Sequence, residues 1–333
     1  MGNTQNNRTL LRDSTGSLLL TQTVIGILGN FSLLYHYLSL YHIHHRLRDT
    51  DLILIHMTLA NSLTILSKAV PKTMGALGLK DFISDFGCKI IFYFERVARG
   101  QSIGTTCLLS VYQTIMISPM NSCWKELKVR APKYVGCSLS LCWILYILVN
   151  FIFPTYVSSV SVIWGSKDIK EKTDLKYCST VDHNKILGSL YMALVVFPEV
   201  LFSVLIIWSS GSMVFILFRH KHRVQHIRRT NLSPRSSAES RATQSILLLL
   251  STFVFFHTLS SMLSIYLALY QNSNKWLVKI TNLISLGFPS VSPFLLMSRE
   301  STLCRVFSAC IRTRKSLALM RNMYVIGLCT ILI

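Results

Sequence analysis

The sequence contains few charged residues, and most of those it has are of one sign. Only 14% of the 333 residues are charged, whereas a soluble domain carries roughly 25%. Lys and Arg number 34 against 14 Asp and Glu, which gives a formal net charge of +20. Because 51% of the residues are hydrophobic, this composition predicts a membrane protein.

The sequence also lacks the motifs that mark common catalytic and metal sites. It has no HExxH zinc pair, no GxSxG nucleophile elbow and no phosphate-binding glycine loop. We therefore expect no enzymatic activity, no metal and no cofactor. The basic residues form short blocks between apolar runs, so nucleic acid is not an expected partner. The polar residues 1–17 contain no apolar core of a cleavable signal peptide, so the first span is expected to act as its own signal.

Seven long apolar stretches predict an all-α membrane protein, a bundle of seven transmembrane helices. Each stretch has about the 18–20 mostly apolar residues that a helix needs to cross a bilayer. The stretches are 18–41, 51–77, 88–117, 134–157, 186–218, 242–270 and 276–297. This divides the chain into an extracellular N-terminus (1–17), a seven-transmembrane bundle (18–297) and a cytoplasmic tail (298–333). Two prolines in the last stretch, Pro289 and Pro293, predict that its cytoplasmic half is bent or partly unwound.

The distribution of Lys and Arg predicts the orientation of the bundle. Nineteen lie in loops 42–50, 118–133 and 219–241 and in the tail, whereas nine lie on the opposite side. The side richer in Lys and Arg is cytoplasmic in multi-pass proteins. We therefore expect the N-terminus outside the cell and the C-terminus in the cytoplasm.

This topology separates the nine cysteines into compartments. Only Cys88, at the start of the third span, and Cys178, in the second outer loop, reach the extracellular side. Disulfides persist outside the cell, so we expect these two residues to form one, although two unpaired thiols are the alternative. Asn7 begins an extracellular glycosylation sequon. Cys304 and Cys310, among basic residues after the last span, are either palmitoylation sites or inert thiols.

The third span is unusual because it carries Glu95, Arg96 and Arg99 within an apolar run. Charges at membrane depth are costly and usually face a bundle interior or a wet cavity. Glu95 and Arg99 are four residues apart and can pair on one helical face. These residues predict the wall of a polar ligand pocket. The alternative is that the charges only neutralise each other and a neighbouring helix.

Three residues of the fifth and sixth spans are further candidates for ligand contact. Glu199 follows Pro198 inside the fifth span, and we expect it to face Arg96 or Arg99 as a counter-charge. His257 and Tyr266 lie in the aromatic-rich sixth span. For His257 the alternative is a single structural hydrogen bond, and for the aromatic residues it is core packing.

Several stretches of the chain resemble one receptor family. They include TDLILIHMTLAN (50–61), RVARGQSIGTTCLLSVYQTIMISP (96–119), LKVRAPKYVG (127–136) and FPSVSPFLLMS (288–298). In them the chain is similar to the vomeronasal type-1 (pheromone) receptors, a family of G-protein-coupled receptors. It lacks the acidic-Arg-aromatic switch and the Asn-Pro-x-x-Tyr motif of rhodopsin-like receptors, so their activation mechanism is not carried over.

The resemblance implies a chemosensory receptor of the plasma membrane. A small organic pheromone or odorant would enter from outside and bind among helices 3, 5, 6 and 7. The partner would be a heterotrimeric G protein, of the inhibitory class, while membrane lipid would contact the basic loops. The expected G-protein contacts are Lys125, Lys128, Arg130, Arg219, Arg223 and Arg228. A bitter-taste-like receptor is one alternative, although that family generally lacks the bridge expected here. A seven-span transporter is the other, although the two halves show no internal repeat.

Overall fold

The structure of the protein is a computed structural model of a helical bundle. It describes residues 2–44, 47–76, 85–119, 124–151, 157–160, 177–180, 185–227, 235–269 and 275–299. Within these ranges there are eight helices and two short strands. The helices are α1 (Gly2–His44), α2 (Asp49–Ala76), α3 (Asp85–Ile117), α4 (Trp124–Asn150), α5 (Lys185–Ile227), α6 (Arg235–Leu269), α7 (Lys275–Ser285) and α8 (Gly287–Arg299). The strands are β1 (Val157–Val160) and β2 (Tyr177–Thr180).

The bundle contains the seven membrane helices that the sequence predicts. Among the described residues, six segments are long and apolar enough to cross a membrane. They are Ser17–Ile43, Asp49–Ala69, Trp124–Asn150, Val196–Arg219, Gln244–Ser264 and Ile280–Ser298, the last of which joins α7 to α8. The seventh is α3, which has 33 residues and carries charged side chains together with many Ser, Thr and Gln residues. It packs against α2, α4, α5 and α6, so it crosses with them.

The predicted end of the fourth span is wrong. The fourth helix ends at Asn150 instead of 157, and residue 157 begins β1, which pairs antiparallel with β2. Proline disfavours helical conformation in the residue before it, and Pro154 follows closely in the sequence. The first helix begins at Gly2, and the part of it that is apolar enough to cross a membrane, Ser17–Ile43, agrees with the predicted stretch 18–41. At about 1.5 Å per residue, α1 and α5 are both longer than the bilayer requires.

The last membrane crossing has an interruption of one residue, which lies before both of its prolines. The break falls at Leu286, between α7 and α8, and the helix then continues through Pro293. Pro289 has no N–H to donate to the carbonyl of Ser285 four residues earlier, which weakens the helix at this point. The predicted partial unwinding of the cytoplasmic half is therefore not observed, because Gly287–Arg299, which contains both prolines, is helical.

Two side chains of α1 hold this interrupted crossing in place. Pro293 leaves the carbonyl of Pro289 without its helical donor. Asn30, which is fully buried, donates from Nδ2 to that carbonyl at 2.9 Å. Gln22 donates from Nε2 to the carbonyl of Leu283 at 3.1 Å. These bonds fasten α1 to the break and satisfy backbone groups that have no water to bind.

The centre of the bundle is organised around α3. Hydrophobic residues of α1, α2, α3, α6 and α8 pack into one core that includes Leu33, Met57, Ile103, Phe253 and Phe288. On another face, α3 and α4 approach so closely that a Cβ at Gly100 would overlap the ring of Tyr146. Small residues permit such approaches between membrane helices. The position of α3 at the centre brings its charged residues to the inside of the bundle.

Candidate functional site

Two interhelical ion pairs involve the charged residues of α3. The Nζ of Lys68 on α2 lies 3.4 Å from Oε1 of Glu95, and only 9% of the lysine side chain is exposed. The same ammonium donates to Oγ of Ser285 on α7 at 2.6 Å. Lys68 therefore connects α2, α3 and α7 through one buried charge.

The second ion pair joins α3 to α5. Nε of Arg99 lies 3.9 Å from Oε1 of Glu199, and α5 remains helical through Pro198. Glu95 and Arg99 thus each reach a different helix instead of pairing along α3. Arg96, between them, is only partly buried. Tertiary contacts decide this arrangement, because Lys68 and Glu199 offer each charge a partner inside the bundle.

A small cavity lies beside these ion pairs. It has a volume of about 50 Å³ and is bounded by α2, α3, α6, α7 and α8. Its lining consists of two cations, one histidine, several hydroxyl-bearing residues and an apolar wall: Lys68, Arg99, His257, Thr64, Ser102, Ser260, Ser285, Ile103, Phe253, Phe256, Phe288 and Pro289. A water molecule in liquid occupies about 30 Å³, so this space is sufficient for one or two waters. An organic ligand would need the surrounding side chains to move.

The aromatic wall of the cavity comes mostly from α6. His257 stacks on Phe253 with ring centroids 5.5 Å apart, and Phe253 meets Phe288 edge-on at 4.8 Å. Next to this wall, a Cβ at Gly287 would overlap the ring of Phe256, so α6 and α8 are in close contact. The α6 side of the cavity is therefore a wall of packed aromatic rings.

Not all predicted pocket residues lie at the cavity. Arg99 and His257 line it. Glu95 and Glu199 do not line it but form ion pairs with the lining residues Lys68 and Arg99, respectively. Arg96 is not part of the lining, and Tyr266 is about half exposed at a position nine residues beyond His257. The structure thus brings together only part of the set that the sequence predicted.

A hydrogen-bonded hub lies directly next to the cavity. Asn61 on α2 donates from Nδ2 to Oγ of Ser292 on α8 at 2.9 Å. Its Oδ1 accepts a hydrogen bond from Oγ of Ser102 on α3 at 3.0 Å. Since Ser102 also lines the cavity, a change in its position would affect α2 and α8 as well.

Sequence reasoning missed Lys68 as a site residue. In the sequence it is noticeable only as a charge that weakens the second apolar stretch. The signal that singled out Glu95 and Arg99, a charge within a membrane span, applies equally to Lys68. Lys68, Glu95 and Ser285 lie on three different helices, so the sequence alone does not show that their side chains are in contact.

The basic residues predicted to meet a G protein lie at one end of the helices. Lys125 and Arg219 are exposed. Lys128 donates from Nζ to the carbonyl of Ser118 at 2.6 Å, and Arg130 pairs with Glu126 at 2.6 Å. The side chain of Arg223 and the whole of Arg228 lie outside the described residues.

The predicted disulfide and modification sites are described only in part. Cys88 lies on α3 and Cys178 on β2, but their side chains are outside what the structure describes. Cys178 is opposite Ser159 in the β1–β2 pair, and β1 contacts α3. The side chain of Asn7, in α1, and all of Cys304 and Cys310 also lie outside the described residues. The bridge and the modifications remain predictions.

Comparison with known proteins gives consistent matches over most of the chain. Residues 14–309 match the model of the vomeronasal organ pheromone receptor family. The chain is 51% identical over 296 residues to vomeronasal type-1 receptor 2 of Homo sapiens, an alignment that covers 89% of this chain and 74% of the relative. It is 52% identical over 288 residues to vomeronasal type-1 receptor 4 of Homo sapiens, covering 86% and 95%. It is 31% identical over 309 residues to vomeronasal type-1 receptor 45 of Mus musculus, covering 91% and 93%.

Proposed function

The chain belongs to the vomeronasal organ pheromone receptor family, a family of chemosensory receptors, and on this premise we propose how it binds its ligand and signals. The protein is a multi-pass membrane receptor. Its ligand is a small organic pheromone or odorant that enters from the extracellular side. Its output is activation of a heterotrimeric G protein, of the inhibitory class, at the plasma membrane. The N-terminus is extracellular and the C-terminus is cytoplasmic, as the distribution of Lys and Arg favours.

The observation that carries this proposal is the cavity that Lys68 and Arg99 line, each with a carboxylate behind it. Buried ion pairs contribute little net stability, because desolvation offsets much of their attraction. A hydrophobic packing of the same volume would stabilise the bundle at least as well. Retaining two such pairs around a cavity is therefore better explained by ligand recognition than by folding.

The contacts of the cavity also suggest how binding reaches the rest of the bundle. A ligand can shift the receptor toward an active state only if it binds that state better than the resting state. Lys68 holds α7 through Ser285, and Ser102 holds α2 through Asn61. A ligand that draws Lys68 away from Ser285 would free α7 from α2. The helices would then rearrange at the end that carries the basic loops, where the G protein binds.

A functional screen tests the proposal. The receptor is co-expressed with inhibitory G proteins, and urine and gland volatiles are applied in fractions while GTP exchange and intracellular calcium are measured. We expect one or more fractions to raise GTP exchange in cells that express the receptor and not in mock-transfected cells. Uptake of radiolabelled compounds from the same fractions, without GTP exchange, would contradict the proposal and favour a transporter.

A further inference from the structure

A second, larger concavity lies on the outside of the bundle, far from the ion pairs. This groove, which we name the α3–α5 groove, has a volume of about 500 Å³. Ser118 at the end of α3 and Trp124 at the start of α4 bound it on one side. Trp208, Gly211 and Phe215 of α5 bound it on the other. The groove therefore lies at the end of the bundle where residues 118–123 connect α3 to α4.

The groove faces lipid. Trp208 and Phe215 are 61% and 65% exposed, and both lie in the membrane-spanning segment Val196–Arg219. At Gly211 a Cβ would meet no atom within 4 Å, so the groove is open at this point. Large aromatic side chains that are exposed within a membrane span are in contact with acyl chains.

The walls of the groove are suited to a hydrocarbon chain. Each of its hydroxyls donates to a backbone carbonyl within the protein: Thr114 to Ser209 at 3.1 Å, Ser118 to Thr114 at 2.9 Å and Ser212 to Trp208 at 2.9 Å. Because these donors are already used, the groove presents mainly apolar surface to an occupant. A polar ligand would lose its hydration there and would find none of these hydroxyl hydrogens free.

Basic residues stand at the rim of the groove. Lys125 is exposed and directly follows Trp124, while Arg219 is exposed one helical turn beyond the lining residue Ile216. Lys128 donates to the carbonyl of Ser118, and an ammonium group has two further donors. The neighbouring carboxylate, Glu126, is paired with Arg130. The rim is therefore cationic.

From this combination we infer that the α3–α5 groove binds an anionic glycerophospholipid of the inner leaflet. One acyl chain occupies the groove beside Trp208 and Gly211, and the headgroup phosphate meets Lys125 and Arg219. Basic residues at the cytoplasmic ends of membrane helices attract anionic headgroups. The inference depends on the cytoplasmic placement of this end proposed above, and it is independent of the chemosensory cavity and its ligand.

Native mass spectrometry of the purified full-length receptor in detergent tests the inference. Phosphatidylserine and phosphatidylcholine with the same acyl chains are added separately, and the fraction of receptor that retains one lipid is measured. We expect phosphatidylserine to be retained at least fivefold more, since each basic residue at the surface changes affinity by roughly fivefold. Equal retention of the two lipids would overturn the inference.

Two leucine substitutions test the location of the site. Gly211→Leu places a side chain in the groove, whereas Gly136→Leu, on α4 outside the groove lining, also meets no atom within 4 Å at Cβ. We expect the first variant to lose phosphatidylserine retention and the second to keep it. Equal retention by both variants would overturn the proposed site.

A charge comparison and a measurement on the unmodified protein complete the test. The double variant Lys125→Gln/Arg219→Gln should lose the preference for phosphatidylserine, whereas Lys133→Gln, exposed on α4 outside the groove lining, should keep it.

In the unmodified receptor, phosphatidylserine with a photoreactive acyl chain should crosslink to peptides that contain Trp124 or Gly211. Crosslinks confined to other helices, or displacement by cholesterol but not by unlabelled phosphatidylserine, would contradict the inference.

Discussion

At the scale of single residues, the defining feature of this protein is that its buried charges are matched across helices. Lys68 has Glu95 and Ser285 as partners, and Arg99 has Glu199. Removing one member of a buried pair is more damaging than removing both, because it leaves an uncompensated charge. The two ion pairs can therefore be tested separately for structural and for sensory roles.

The Lys68–Glu95 pair should behave as a structural unit in stability measurements. We expect Lys68→Met to destabilise the receptor by less than the roughly 3–5 kcal/mol typical of a broken buried pair, since about a quarter of the Glu95 side chain is exposed. Lys68→Met/Glu95→Gln should recover part of that loss, because no carboxylate then remains unpaired. Thermal unfolding in detergent measures both variants. If the double variant is no more stable than the single one, the pairing is contradicted.

The arginines of α3 should be required for sensing more than for folding. We expect Arg96→Ala and Arg99→Ala to abolish ligand-evoked GTP exchange while expression at the cell surface persists. The exchanged pair Arg99→Glu/Glu199→Arg serves as a control, because it keeps the ion pair but removes the cation from its position at the cavity. It should retain surface expression but lack the response. Loss of surface expression in both alanine variants would support a purely structural role.

At the scale of elements, the α7–α8 crossing shows how a helix hydrogen bond that proline removes is replaced by a bond from another helix. Pro293 removes the helical donor of the Pro289 carbonyl, and Asn30 of α1 supplies a donor in its place. Membrane helices tolerate proline when a neighbour satisfies the freed carbonyl. The contact between α1 and α8 is therefore partly polar, even though most of their interface is apolar.

A double-mutant cycle measures how much the Asn30 side chain contributes by bonding to the carbonyl that Pro293 leaves free. Asn30→Leu removes the bond to the Pro289 carbonyl, and we expect a loss of about 1 kcal/mol in unfolding free energy, within the range for hydrogen bonds in membrane proteins. Pro293→Ala supplies the missing N–H, so Asn30→Leu should cost less in that background. The cycle is read from unfolding in denaturant. Equal costs in the two backgrounds would show that the amide does not act on this carbonyl.

At the scale of the whole molecule, function depends on which end of the bundle faces outward. With α1–α6 and the α7–α8 crossing as seven passes, we propose that the two termini lie on opposite sides. The basic residues gather at the end that holds Lys125, Lys128 and Arg219. The orientation proposed from them places Cys88 and the β1–β2 pair at the outer end.

The topology and the bridge can be tested together on intact cells. We expect an antibody to label a tag at the N-terminus without permeabilisation, and a tag at the C-terminus only after it. Peptide mapping without reduction should recover Cys88 linked to Cys178, while Asn7 should carry a glycan that an amidase removes. Labelling of the C-terminal tag on intact cells would reverse the orientation. Free thiols at both cysteines would exclude the bridge.

Several features were predictable from sequence because they depend on local composition. The seven apolar stretches follow from the length that a bilayer demands, and the buried charges of α3 follow from the cost of exposing them to lipid. The match to the vomeronasal family confirms the resemblance that the motifs indicated. The predicted end of the fourth span was wrong, and the sequence indicated no position for the interruption at Leu286. Helix ends depend on backbone contacts that composition does not show.

The sequence by itself determined a seven-helix membrane protein, since hydropathy and charge act along the chain and are visible in every short window of it, and the resemblance of its motifs indicated a receptor. Only the tertiary structure decided that Glu95 pairs with Lys68, that Arg99 pairs with Glu199 and that His257 shares their cavity while Tyr266 does not. The physical reason is that a buried charge takes whichever opposite charge the packing brings within reach. That packing joins residues that lie on different helices and far apart along the chain.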